Sequence, residues 1–278
     1  MRYIEIRCRV QPVAEGAEIL TALLGEIGCD SFMEWEEGLL AYIPEKDFSE
    51  SELKKISLPK ESGIEWSYTV SRMEDKDWNA EWESHYEPVW IDKRCHIHAP
   101  FHAADPGAEY DIVIEPKMSF GTAHHETTAQ MISLMLEEPC GGKALLDMGA
   151  GTGVLAILAW KKGARPVTAI DIDEWAYNNM LENTQLNGAD GIRCIMGDAG
   201  AIPDERYDII LANINRNILL QDMPCYVQHL NHGGTLMMSG FYDGDDLRII
   251  REMAERNGLT YNSHRQQNKW VAARFTRH

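Results

Sequence analysis

From Lys143 onward, short apolar runs of strand length alternate with longer stretches of helical period. Runs at 144–148, 166–170, 192–196, 207–212 and 235–239 read as buried strands. The segments 153–162, 174–187, 216–230 and 244–257 read as the helices between them. Strands apolar along their whole length are buried on both faces, and a helix after each one returns the chain so that the next strand runs parallel. Two closing runs, 259–264 and 269–276, are spaced to pair antiparallel. The pattern predicts an open α/β sheet covered by helices on both sides. Such sheets bind ligands in the crevice beyond the carboxyl ends of their strands.

The first of these strands runs into a glycine-rich turn, Leu145-Leu146-Asp147-Met148-Gly149-Ala150-Gly151-Thr152-Gly153-Val154, and a helix follows. Glycines here let the backbone turn sharply and approach a ligand closely. Asp171 ends the next strand, 22 residues beyond Gly149, where a carboxylate can accept both hydrogen bonds of a ribose diol. A dinucleotide fingerprint would place its third glycine at 154, but Val154 stands there and the glycine falls at 153. Asp147 precedes the turn, and a carboxylate at that point repels a pyrophosphate but suits a cofactor carrying an amino group and a sulfonium. The turn therefore favours S-adenosylmethionine over a nicotinamide dinucleotide.

Two further positions sit at strand ends. Asp198, in Gly197-Asp198, can meet an adenine amino group or serve as a solvated turn residue. Asn213 closes Ile209-Ile210-Leu211-Ala212-Asn213, where its amide can bind the cofactor, hold a target amine or cap the next helix. Upstream, Phe120-Gly121-Thr122-Ala123-His124-His125-Glu126-Thr127-Thr128 leads into a helical stretch, with the two threonine hydroxyls placed to cap it or reach a ligand. Its histidines lack the H-E-x-x-H spacing, and His96-x-His98 with His102 makes no complete ligand set, so no metal is expected.

The front of the chain differs. Residues 1–70 read as strand, helix, hairpin, helix and strand: 3–10, 14–27, 32–35 with 39–43, 49–58 and 66–70. This β-α-β-β-α-β order predicts a small α+β, ferredoxin-like domain for substrate recognition. Residues 71–92 carry Trp78, Trp82, Tyr86 and Trp90 at intervals of four, with Pro88 placed to stop a helix before the last. They read as an acidic linker helix with an aromatic stripe for packing, leaving 93–278 as the catalytic domain. Formal net charge is −18, and residues 1–92 account for −12 of it, with nine basic and twenty-one acidic side chains. Such a surface repels a nucleic-acid backbone and attracts a basic protein, although solubility alone also accounts for it. The six cysteines form no C-x-x-C pair and read as reduced thiols of a cytoplasmic protein without a secretory signal or a membrane span.

Residues 111–278 resemble the ribosomal protein L11 methyltransferase family. The resemblance rests on Glu115-Pro116-x-Met118-x-Phe120-Gly121-Thr122-x-His124-x-x-Thr127-Thr128, on Asp147-x-Gly149-x-Gly151-x-Gly153-Val154-Leu155-Ala156-Ile157, on Asp171-Ile172-Asp173 and on Ala212-Asn213-Ile214. It implies a Rossmann-like seven-stranded methyltransferase sheet and an enzyme that methylates lysine side chains and the N-terminal amine of ribosomal protein L11; nothing in the sequence calls for more than a monomer. It also implies cofactor contacts from Thr128, Gly149, Asp171 and Asn213, to which the turn itself adds Gly151 and the third strand end Asp198. No catalytic acid or base is implied, and Asn213 is the best candidate for positioning the amine. Ala123 stands where the family has glycine, and the front domain is unusually acidic. Rival readings are a methyltransferase acting on another protein, RNA or a small molecule, and a non-catalytic module that binds ribosomal protein.

Overall fold

A computed structural model describes residues 3–56, 58, 64–72, 87–117 and 121–278. The chain forms two compact units, Met1–His85 and Tyr86–His278.

In the first unit, β1 (Tyr3–Gln11) alternates as expected, sending Ile4, Ile6, Cys8 and Val10 into the core. Helix α1 (Val13–Glu26) lays Ala17, Leu20 and Leu24 against them. The strands β2 (Ser31–Trp35) and β3 (Gly38–Pro44) form the expected hairpin, and β4 (Glu65–Arg72) pairs on the far side of β1. The sheet is antiparallel in the order β2-β3-β1-β4. The second helix, α2, is one turn only, Glu50–Leu53, shorter than the 49–58 span. It anchors through the fully buried Leu53. Trp78, Trp82 and Tyr86 of the expected linker helix lie outside the described residues, while Trp90 sits in strand β5.

The second unit opens with a three-stranded sheet of β5 (Val89–Ile91), β6 (Cys95–His98) and β7 (Tyr110–Val113). Helix α3 (Glu126–Glu137) leads into the large sheet. Then come β8 (Leu145–Met148), α4 (Val154–Lys161), β9 (Val167–Asp171), α5 (Glu174–Leu186), β10 (Arg193–Met196) and β11 (Tyr207–Asn213). The unit closes with α6 (Arg216–His229), β12 (Leu230–Tyr242), α7 (Asp245–Arg256), β13 (Leu259–Gln267) and β14 (Trp270–Arg277). The seven strands run in the order β10-β9-β8-β11-β12-β14-β13, with β14 antiparallel to both neighbours.

Successive residues of the central strands enter two separate cores, which is why these strands read as apolar throughout. Leu145, Ile209 and Leu211 join one cluster with α3 and α4, and Leu146, Ile210 and Ala212 join the other with α6 and α7. Each buried Leu or Ile among them contributes about 1.5–3 kcal/mol of transfer free energy. Strand β12 is much longer than the 235–239 run, spanning thirteen residues. Its front half contains Gly233 and Gly234, which read locally as a turn, but pairing with β11 begins at Leu230 and continues past a register shift.

Four of the six cysteines, Cys8, Cys29, Cys95 and Cys140, are buried, and desolvation is the chief cause that pushes the first three up to about 12, about 11 and about 12. None of the six is in a disulfide. Among the described residues, no helix is long and apolar enough to cross a membrane.

Candidate active site

The carboxyl ends of β8, β9, β10 and β11 open into a cleft of about 1020 Å³. That is the upper end of the range for small-molecule sites. Its wall begins at the glycine turn, where Gly149 and Gly151 line the cavity. Gly149 has φ +65°, and a Cβ there would lie 2.1 Å from Ile214 Cγ2, so the turn tolerates no side chain at this point.

Asp171 lies beside that turn. Its Oδ2 accepts from the Gly151 amide at 2.8 Å and its Oδ1 from the Asp173 amide at 3.0 Å, so the carboxylate is fixed while each oxygen keeps a lone pair for the cleft it lines. Asp173 in turn caps α5 by accepting from the Ala176 amide. Asp198 caps the short turn Ala199–Ala201 through the Gly200 amide at 2.9 Å and also lines the cleft. The two roles considered for Asp198 are thus compatible.

Asp147 departs from the expectation that carried part of the cofactor argument. It is wholly buried beneath the turn, away from the residues that line the cleft. Its Oδ2 accepts from the Ala156 amide in the first turn of α4 at 3.1 Å. Desolvation, opposed by that bond and reinforced by the charge on Asp171, pushes its carboxyl up to about 8. A neutral carboxyl below the floor cannot supply the negative field attributed to it. Among the described lining residues, that field comes from Asp171, Asp173, Asp198 and Asp222. Lys117, on the same wall, is paired with Glu182.

Asn213 ends β11 and lines the cleft. Its Nδ2 donates to Thr128 Oγ1 at 3.2 Å, and its Oδ1 is buried with no partner among the described residues. The capping role falls to Asn215, whose Oδ1 accepts from the amides of Asn217 and Ile218 at the start of α6. Thr128 is buried behind Asn213 and outside the lining residues, while Thr127 reaches the cavity. The cap of α3 is His125, whose Nδ1 accepts from the Thr127 amide. Phe120 of the Phe-Gly-Thr cluster is outside the described residues, but Thr152 Oγ1 donates to the Gly121 carbonyl at 2.7 Å and ties this segment to the glycine turn. Ala123 holds φ +67°, a left-handed conformation that favours glycine.

The structure adds residues that the local pattern did not reveal. Asp222 and Tyr226 line the cleft from α6. Desolvation raises the Asp222 carboxyl, against a hydrogen bond from Tyr226 and with the charge of Asp198 nearby. Asn215, Ile218 and Asp222 follow the i, i+3, i+7 spacing of one helix face, a signal that could have found Asp222. Gly240 from β12 and Trp270 from β14 complete the wall, with the Trp270 ring tilted 38° against Tyr242 at 4.3 Å between centroids.

His96 and His98 stand apart from this cleft. Their rings stack 4.9 Å apart, with His96 Nδ1 2.6 Å and His98 Nε2 3.1 Å from the two oxygens of Asp111. Rings 20° from parallel direct their nitrogens side by side, which suits bridging by one carboxylate. His102 is outside this group.

Comparison with known proteins agrees with this architecture. The model of the family described as ribosomal protein L11 methyltransferase (PrmA) matches residues 8–278. A ribosomal protein L11 methyltransferase of Bacteroides fragilis is 48% identical over 99% of both chains, and one of Chlorobaculum tepidum is 37% identical over 92% of this chain and 91% of its own. The crystal structure of a ribosomal protein L11 methylase from Lactobacillus delbrueckii subsp. bulgaricus superposes with a TM-score of 0.65 at 27% identity, covering 69% of this chain and all of that one. Matched by the family model over nearly its whole length and by relatives end to end, the chain belongs to the ribosomal protein L11 methyltransferase family.

Proposed function

We propose that this enzyme, an S-adenosylmethionine-dependent methyltransferase, transfers methyl groups to lysine side chains and the N-terminal amine of ribosomal protein L11. The observation that carries the proposal is the Asn213 amide on the cleft wall: its NH₂ is engaged by Thr128, and its buried oxygen has no hydrogen-bond partner among the described residues. A buried acceptor without a donor costs about 1–3 kcal/mol, and an incoming N–H relieves that cost.

The cleft fits the donor. Gly149 lets the turn pass close to Ile214 on the cleft wall, Asp171 holds a fixed carboxylate toward a ribose diol, and Asp198 stands at the next strand end for an adenine amino group. The carboxylates suit the donor's amino group and sulfonium. When bound, S-adenosylmethionine supplies a methyl carbon already activated by the sulfonium, so the protein contributes alignment and desolvation.

The acceptor must arrive as a neutral amine, although a free lysine has a pKa of about 10.4. Asn213 Oδ1 and the Ile214 carbonyl accept its two N–H bonds and leave its lone pair directed into the cleft. Both acceptors are uncharged, so they orient the amine without holding its proton as a carboxylate would. Proton loss to solvent precedes transfer.

Residues 1–70 are read as a ferredoxin-like substrate-recognition domain, supported by the strand order β2-β3-β1-β4. Residues 71–92 link it to the catalytic domain at 93–278. The excess of acid over base in 1–92 favours a basic protein over nucleic acid. The enzyme is read as a monomer acting in the cytoplasm, where ribosomal proteins are made. The test is intact-mass analysis of purified L11 after incubation with enzyme and S-adenosylmethionine. A mass increase of one CH₂ unit per methyl transferred, as CH₃ replaces H, is expected with the wild type and absent with Asn213→Ala. Labelling of ribosomal RNA in place of L11 would overturn the proposal.

A further inference from the structure

Among the described residues, the two most exposed large apolar side chains are Trp175, at 80%, and Ile172, at 73%. Both line the cleft. Ile172 directly follows Asp171, and Trp175 lies in the first turn of α5, where the cap from Asp173 fixes its position.

The other described tryptophans have partners for their rings. Trp66 tilts against Tyr68 and Trp270 against Tyr242, and Trp90 stacks on His96. Arg7 lies over Trp35, and Arg165 over Trp160. Trp175 has no ring partner among the described residues. An aromatic side chain that packs typically buries 150–250 Å². Leaving most of that area in water, at the lip of a cavity, marks a surface that a flat apolar ligand would cover.

The neighbours indicate which ligand. Asp171 presents its carboxylate between the glycine turn and Ile172, and Asp198 and Ala199 line the cavity from the adjacent strand end. A base joined to a ribose at Asp171 meets apolar surface on the side of Ile172 and Trp175, and polar groups on the side of Asp198. We infer that Trp175 is an aromatic flap that stacks on the adenine of the methyl donor, so that donor binding buries it. This inference rests on the donor reading of the cleft.

The probe is S-adenosylhomocysteine, the unreactive product, titrated calorimetrically into full-length wild type, Trp175→Phe and Trp175→Ala. Stacking of a base on an aromatic side chain is worth about 1–3 kcal/mol, so Trp175→Ala should weaken binding roughly tenfold or more, and Trp175→Phe should restore most of it. Part of the wild-type tryptophan emission should quench on binding, and that part should be missing in Trp175→Phe. The melting temperature without ligand should not move, because the side chain is exposed. A wild type that binds and a Trp175→Ala variant that binds equally well would overturn this inference alone. So would unchanged affinity accompanied by a raised KM for the protein acceptor, which would assign Trp175 to the acceptor. A wild type that fails to bind would overturn the donor reading and this inference with it.

Discussion

Asn213 and Thr128 lie 85 residues apart in the chain, yet the amide of one donates to the hydroxyl of the other at 3.2 Å. This bond joins the end of β11 to the first turn of α3, and it decides which atom of the amide is left open. Replacing Thr128 with Val removes the acceptor while nearly keeping the shape. The amide can then rotate, so turnover should fall by one to two orders of magnitude while S-adenosylhomocysteine binds almost as before. Loss of one buried hydrogen bond should cost about 1 kcal/mol of stability. Steady-state kinetics beside calorimetry separates the two effects, and donor affinity lost in parallel with turnover would count against a positioning role.

Asp171→Asn tests the ribose assignment. The substitution keeps the size of the side chain but removes its charge and replaces one acceptor with a donor. Either the bond from Gly151 or that from Asp173 is then lost, together with a contact to the ligand. Hydrogen bonds to charged groups contribute about 1.5–3 kcal/mol, so affinity for S-adenosylhomocysteine should drop at least tenfold. Unchanged affinity by calorimetry would remove Asp171 from the donor site.

Asp147 should give the protein a measurable dependence of stability on pH. Its folded carboxyl is raised from the ordinary 3.8 to about 8, mainly by desolvation. Between these values the folded chain holds a proton that the unfolded chain has released. Stability from this group is therefore full in acid, declines as pH rises from about 4 to about 8 and levels off above that. Asp147→Asn is neutral throughout and can still accept from Ala156. The gap in melting temperature between variant and wild type should move in the variant's favour from pH 5 to pH 8. A gap that stays constant over this range would show that the carboxyl titrates normally.

Gly240→Ala should injure catalysis through the backbone. Gly240 has φ +99°, and a Cβ there would come within 2.1 Å of the Ile214 carbonyl oxygen. Neither backbone can yield cheaply, so the carbonyl proposed to orient the amine must shift. Left-handed strain alone costs about 1–2 kcal/mol. Turnover should fall more than tenfold, with a lower melting temperature. An active variant of wild-type stability would show that the carbonyl has room to move.

Positions fixed by local pattern were legible from the chain. The glycine turn, Asp171 and Asp198 each follow a strand end that apolar runs reveal, and the structure brings all of them to one cleft with Asn213. The charge state of Asp147 was not legible, because it depends on how completely α4 covers it. Gly240 and Trp270 carry no local signal, since they reach the cleft only because β12 pairs with β11 and β14 with β12. The pattern left Asn213 open to a capping role, but α6 begins only at Arg216, so Asn215 supplies the cap and Asn213 does not.

The protected thiols have a practical consequence. Cysteines held far above neutral pKa, or packed out of solvent, react slowly with maleimides at pH 7, because the thiolate is the reactive species. A single cysteine engineered onto an exposed site of each compact unit would then be the preferred point of attachment for a dye. Energy transfer between such a pair would report the separation of the units as substrate arrives, once the two partly buried thiols, Cys194 and Cys225, have been replaced.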